Sequence, residues 1–125
     1  MRTCQALFPD HTPPHLIAAF WEQYFGDWEG LAYPDLPDLG SMNGKELAKF
    51  RPPNGESFLD LCARIQPAFH SLLQDVDVQQ IAVFAHAGVI RAVLALVFDS
   101  PEAALKCEID PVSYTHLTLP TTGIV

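Results

Sequence analysis

Two places in the sequence put groups capable of proton and phosphate chemistry beside backbone that would hold them. The first is residues 81–91, IAVFAHAGVIR, where His86 ends an apolar run and Gly88 opens the next segment. An imidazole titrates near neutrality, and the bare N–H groups at a helix start suit an anion, so His86 and Gly88 together read as a phosphate-handling turn. The second is residues 16–30, LIAAFWEQYFGDWEG, where Glu22 sits among Phe20, Trp21, Tyr24, Phe25 and Trp28. A carboxylate surrounded by aromatics loses hydration, which favours its protonated form and suits a general acid. Asp27 and Glu29 flank a glycine-containing turn and read as solvated. Each feature also has a plainer reading, a histidine packed into a βα turn and a cluster of core aromatics. The remaining histidines carry less. His11 and His15 have helical i, i+4 spacing, but Pro13 and Pro14 lie between them and make both loop residues. His70 follows Phe69 and reads as structural or solvated, and His116 takes no role.

The elements that would position these groups follow from apolar period and caps. Residues 81–85 are almost continuously apolar, as a parallel strand covered on both faces would be. His86 would then stand at the carboxyl end of a strand, where open α/β sheets bind their ligands. A helix over 89–98 follows, then Ser100 as N-cap with Pro101 in the first helical position, and an edge strand at 106–110. Upstream, residues 3–8 predict a short helix broken by Pro9, Pro13 and Pro14. Residues 31–44 form a loop with two prolines and two glycines, long enough to be a lid or specificity insert. A short helix over 45–50 stops at Pro52-Pro53, and residues 54–56 turn. Ser57 with Asp60 predicts the start of a longer helix, whose stripe is Phe58, Leu61, Cys62, Ile65, Phe69, Leu72 and Leu73. Pro67 should kink that helix or mark a junction. Residues 75–80 read as a polar turn, and residues 112–125 as a strand followed by a Pro-Thr turn.

Composition sets the class. A chain of 125 residues is one domain at most, and no apolar run approaches the roughly 20 residues that span a bilayer. No apolar segment behind Met1 resembles a signal peptide. The net charge of −8 leaves no basic stripe to neutralise phosphates along a nucleic acid, so neither nucleic-acid nor membrane binding is expected. Cys4, Cys62 and Cys107 are odd in number and widely spaced, which fits reduced thiols in a cytoplasmic protein and neither a disulfide frame nor a zinc site. The prolines between His11 and His15 remove the one histidine pair at helical spacing, and no metal and no cofactor is expected.

Three segments, EQYFGDWEG, NGESFLDLCARIQP and VFAHAGVIRAVLA, resemble the histidine phosphatase (phosphoglycerate-mutase-like) superfamily, and most closely its alpha-ribazole phosphatase branch. The likeness covers about residues 1–110 with order and spacing kept. It implies an α/β fold, a three-layer, mostly parallel sheet with helices on both faces. It implies that Glu22 is the proton donor to the leaving oxygen and that His86 is the second catalytic histidine. Gly88 accompanies His86, and Asn54, Glu56 and Ser57 come from the family's substrate-side turn. The function implied is hydrolysis of a small phosphorylated metabolite through a phosphohistidine. A mutase-type phosphotransferase ranks lower because the segment between Gly30 and Asn54 is short. A non-catalytic binding module on the same scaffold is a reading of another class.

The departure is as informative. The family's Arg-His-Gly, whose histidine is the nucleophile, occurs nowhere in the sequence. Residues 1–112 are therefore expected to be the C-terminal portion of such a domain, incomplete at the N-terminus and inactive alone. The strand at 81–85 would then lack its neighbour, and either poor solubility or a homo-oligomer through that edge is expected. Residues 113–125 read either as a terminal strand or as foreign sequence, because SYTHLTLPTT resembles a translated sequencing-adapter string.

Overall fold

Side-chain caps start three of the five α-helices of the computed structural model, which describes residues 2–11, 13–74 and 80–110. In chain order they are α1 (Arg2–Leu7), α2 (Gly44–Lys49), α3 (Phe58–Leu73), α4 (Ala87–Phe98) and α5 (Pro101–Leu105). Single 3₁₀ turns lie at Ala18–Phe20, Gly26–Trp28 and Tyr33–Asp35. Ser57 Oγ accepts the Asp60 N–H at 3.0 Å, and Asp60 Oδ2 accepts the Ser57 N–H at 2.8 Å, so the first turn of α3 is closed from both ends. Asn43 does the same work for α2, accepting from the Glu46 N–H at 2.9 Å. Ser100 accepts from the Ala103 N–H at 3.2 Å to open α5, with Pro101 just inside.

The Asp60 carboxylate also receives the Arg51 guanidinium, Nε at 2.6 Å and Nη2 at 2.8 Å. The Arg51 bond first, and then the Ser57 N–H, hold Asp60 well below the usual carboxylate range. A carboxylate depressed in the folded state stabilises it above the ordinary carboxylate pKa, and that contribution is lost as pH falls. Urea midpoints should therefore drop for the native sequence below about pH 4, and drop less for Asp60→Asn. Equal acid slopes in the two proteins would contradict this role for the cap. The Arg51 side chain is 66% exposed, so solvent screens the pair and keeps the effect modest.

The core lies where α3 meets α4. Phe58, Leu61, Cys62, Ile65 and Phe69 form the buried stripe of α3, at the i, i+3, i+4 spacing that the sequence predicts. Leu72 and Leu73 are half-buried at its end. Across from the stripe stand Val89, Ala92, Leu94 and Ala95 of α4, and Ala104 of α5 and Ala48 of α2 close the cluster. Leu61 and Ile65 have no exposed surface, and each such side chain contributes about 1.5–3 kcal/mol when removed from water. Burial among them pushes the Cys62 thiol up to about 11. All three cysteines are free. Pro67 does not divide α3, which runs through it as one element. Pro67 and Ala63, the residue whose carbonyl it leaves unbonded, are both exposed, so water can take that carbonyl.

The expected α/β architecture is not what the described residues show. They are helical and contain no strand and no sheet. Residues 81–85 run into α4 without helix, turn or ladder, and residues 107–110 leave α5 in the same way. The apolar run at 81–85 is a property of one segment, whereas a strand exists only when a second backbone takes its N–H and C=O groups. None among the described residues does so. Ile81, Val83 and Phe84 are consequently 40–48% exposed instead of covered on both faces. Phe8 meets Phe84 edge-on, with ring centroids 6.2 Å apart. The strand expected over 112–125 and the tail 113–125 lie outside the described residues. No helix among the described residues is long and apolar enough to cross a membrane.

Candidate active site

The segment that carries Glu22 is irregular, and a seam with residues 52–56 fixes it. Gly26, in left-handed backbone (φ 59°), lies directly against Gly55. A Cβ on Gly26 would overlap the Pro53 carbonyl, and one on Gly55 would stand 2.8 Å from the Tyr24 carbonyl, so both positions require glycine. Across this contact the Asp27 N–H donates to the Pro53 carbonyl and the Glu56 N–H to the Tyr24 carbonyl, each at 2.8 Å. Asn54 is also left-handed (φ 59°) and donates its amide to both carboxylate oxygens of Asp27, at 3.0 and 3.2 Å.

Glu22 is half-buried and reaches from this segment to the start of α4. Its Oε1 accepts the Gln23 N–H at 2.8 Å, and its Oε2 lies 3.4 Å from the Gly88 N–H, a long and weak bond. A Cβ on Gly88 would collide with Oε1, so glycine at this position is what lets the carboxylate lie over the helix start. Gly88 thus serves close approach, and it is not among the glycines with positive φ. His86 is the N-cap of α4 in extended backbone (φ −80°, ψ 162°), and its exposed side chain makes no capping bond. Glu22, Gly88 and the backbone of His86 are therefore neighbours although 64 residues of sequence separate the acid from the imidazole.

The aromatics around Glu22 do not enclose it. Trp21 is 78% exposed and Tyr24 56%, and with Phe25, Gln23 and Glu29 they rim an open hollow of about 220 Å³ that has Glu22 in its wall. A second open hollow of about 600 Å³ shares Phe25 and Glu29 and continues over Trp28, Tyr33 and Leu36 into the 31–44 loop. Trp28 is held from behind by stacking on Phe50 at 5.3 Å.

The three residues of the predicted substrate-side turn are occupied otherwise. Asn54 is bonded to Asp27, the buried Ser57 hydroxyl caps α3, and the Glu56 carboxylate meets Arg64 and the Tyr24 N–H. Their described hydrogen bonds do not go to the Glu22 carboxylate. Arg64 is the residue that sequence reasoning missed. Its guanidinium takes the Ala19 and Trp21 carbonyls at 2.6 and 2.9 Å and Glu56 Oε1 at 2.6 Å. The available signal was a charged residue flanking an otherwise apolar stripe between Leu61 and Ile65, one of only 7 basic residues in the chain. Among the described residues no group of three or more His, Cys, Asp or Glu could hold a metal ion.

A family model described as histidine phosphatase superfamily (branch 1) matches residues 1–125. The chain is 30% identical over 103 residues to a 6-phosphofructo-2-kinase/fructose-2,6-bisphosphatase of Caenorhabditis elegans, covering 76% of this chain and 22% of that protein. It is 30% identical over 98 residues to the adenosylcobalamin/alpha-ribazole phosphatase of Salmonella typhi, and 28% identical over 97 residues to that of Escherichia coli (strain K12). Those matches cover 75% and 74% of this chain and 48% of each relative, so the chain spans about half their length or less.

Proposed function

The chain belongs to the histidine phosphatase superfamily, and on that premise we propose that it carries the proton-donor and second-histidine half of a phosphomonoesterase site. One observation carries the reading: the Glu22 carboxylate rests on the Gly88 N–H in the first turn of the helix that His86 caps. A carboxylate lying over a helix N-terminus, beside the backbone of a histidine, supports a site for proton donation to a phosphate ester.

In the proposed reaction an imidazole nitrogen bonds to phosphorus as the bond to the leaving oxygen breaks, and the Glu22 carboxyl gives that oxygen its proton. Water then attacks phosphorus, Glu22 takes the water's proton, and the N–P bond breaks to release phosphate. His86 and the start of α4 offset charge on the non-bridging oxygens. The nucleophilic imidazole is not supplied by these 125 residues, which contain no Arg-His-Gly. The hollow beside Glu22 is where the leaving group would lie. The substrate proposed is a small phosphorylated metabolite, with alpha-ribazole 5′-phosphate and sugar phosphates as the first to assay, in the cytoplasm and without a cofactor. The missing Arg-His-Gly also favours a second reading, a phosphate-binding module without turnover.

Joined to an Arg-His-Gly strand of its family, the chain should hydrolyse p-nitrophenyl phosphate in the presence of a chelator, and without it should not. In the joined protein His86→Ala should lower the rate about 10²–10⁴-fold. Full activity in that variant would remove His86 from the site, and no activity in the joined protein would favour the binding module.

A further inference from the structure

The Arg64 guanidinium makes more contacts than an ion pair with Glu56 requires. Beyond its bond to Glu56 Oε1 at 2.6 Å, it donates to the carbonyls of Ala19 and Trp21 at 2.6 and 2.9 Å, and weakly to that of Glu22 at 3.4 Å. These carbonyls belong to the stretch that ends at Glu22. Glu56, held by Arg64, grips the other side: its Oε1 accepts the Tyr24 N–H at 2.9 Å, and its carbonyl accepts the Gln23 side chain at 3.0 Å. Residue 22 is thus clamped before and after from a single guanidinium on α3. The Arg64 side chain is only 30% exposed, so these bonds are partly shielded from water.

We propose that Arg64 is the positioning residue of the proton donor, fixing the backbone at Glu22 so that its carboxylate meets the Gly88 N–H. The inference rests on the assignment of Glu22 as proton donor. A planar fork of N–H groups can serve several carbonyls and a carboxylate at once, whereas a lysine ammonium is a point charge with three rotating donors. Lysine at this position would keep the charge opposite Glu56 and lose the clamp.

The test uses the 125-residue chain itself and the amide signal of Gly88 in ¹H–¹⁵N spectra. At neutral pH Glu22→Gln should move that signal, which identifies the carboxylate as its partner. Arg64→Lys should keep the Asp60 and Ser57 amide signals of the α3 cap unchanged while moving the Gly88 signal as Glu22→Gln does. Arg64→Gln should do the same, and if it fails to fold the lysine variant decides alone. A Gly88 signal unmoved in Arg64→Lys would overturn the proposal, as would one unmoved by Glu22→Gln. Failure of the underlying assignment looks different. The Gly88 signal would move as described, yet Glu22→Gln would leave the leaving-group dependence of hydrolysis unaltered in the protein joined to its nucleophile.

Discussion

Glu22→Gln is expected to lower kcat/KM for alkyl phosphates about 10²–10⁴-fold while leaving kcat/KM for p-nitrophenyl phosphate nearly unchanged. An alkoxide is too basic to depart without a proton, whereas p-nitrophenolate leaves as the anion. Because kcat/KM reports the steps up to departure of the leaving group, it isolates donation from the later attack of water. The geometry supports the split. Glu22 lies in the wall of the hollow proposed for the leaving group, held by the Gln23 and Gly88 N–H groups, and glutamine keeps its shape without the transferable proton. A series of esters with graded leaving groups, measured in the protein joined to an Arg-His-Gly strand, provides the check. An equal loss on every ester would make Glu22 structural.

Gly26→Ala is expected to destabilise the chain by about 3 kcal/mol or more, enough to unfold a domain of this size under mild denaturant. Its Cβ would meet the Pro53 carbonyl, the Gly55 nitrogen and the Asn54 carbonyl carbon, all backbone atoms that cannot rotate away. Separating the two segments would also break the Asp27–Pro53 and Glu56–Tyr24 bonds at 2.8 Å. Gly30 provides the control. It shares the left-handed backbone (φ 79°), yet nothing lies within 4 Å of its added Cβ. Gly30→Ala should therefore cost only the backbone strain, about 1 kcal/mol. Urea midpoints of the two variants should differ widely, and equal midpoints would show that the seam yields.

What could be read in the sequence was what one segment decides alone. Ser57 with Asp60 and Ser100 with Pro101 announce helix starts because a cap and its partner lie within a few residues. The α3 stripe is legible for the same reason, since a helix repeats its own face. The 81–85 segment shows the limit. Its apolar run is visible, but a sheet needs a second backbone, and none among the described residues pairs with it. The site divides along the same line. Glu22, His86 and Gly88 could be proposed from their types and from family likeness, but the approach of Glu22 to Gly88 spans 66 residues and is set by packing. The clamp from Arg64 reaches carbonyls 42–45 residues away, beyond any local pattern. Glu56 was read as facing substrate because of its neighbours in sequence, and its bonds to Arg64 and Tyr24 required the folded chain.

The most direct measurement is to quench the joined protein during turnover of ³²P-labelled p-nitrophenyl phosphate, in chelator, and identify the labelled residue. The predicted label is acid-labile and base-stable, on an imidazole nitrogen, and more abundant in Glu22→Gln because that variant cannot activate the hydrolytic water. Label on a hydroxyl or carboxylate, loss of labelling on chelation, or equal accumulation with and without the Glu22 carboxyl would contradict the proposed site.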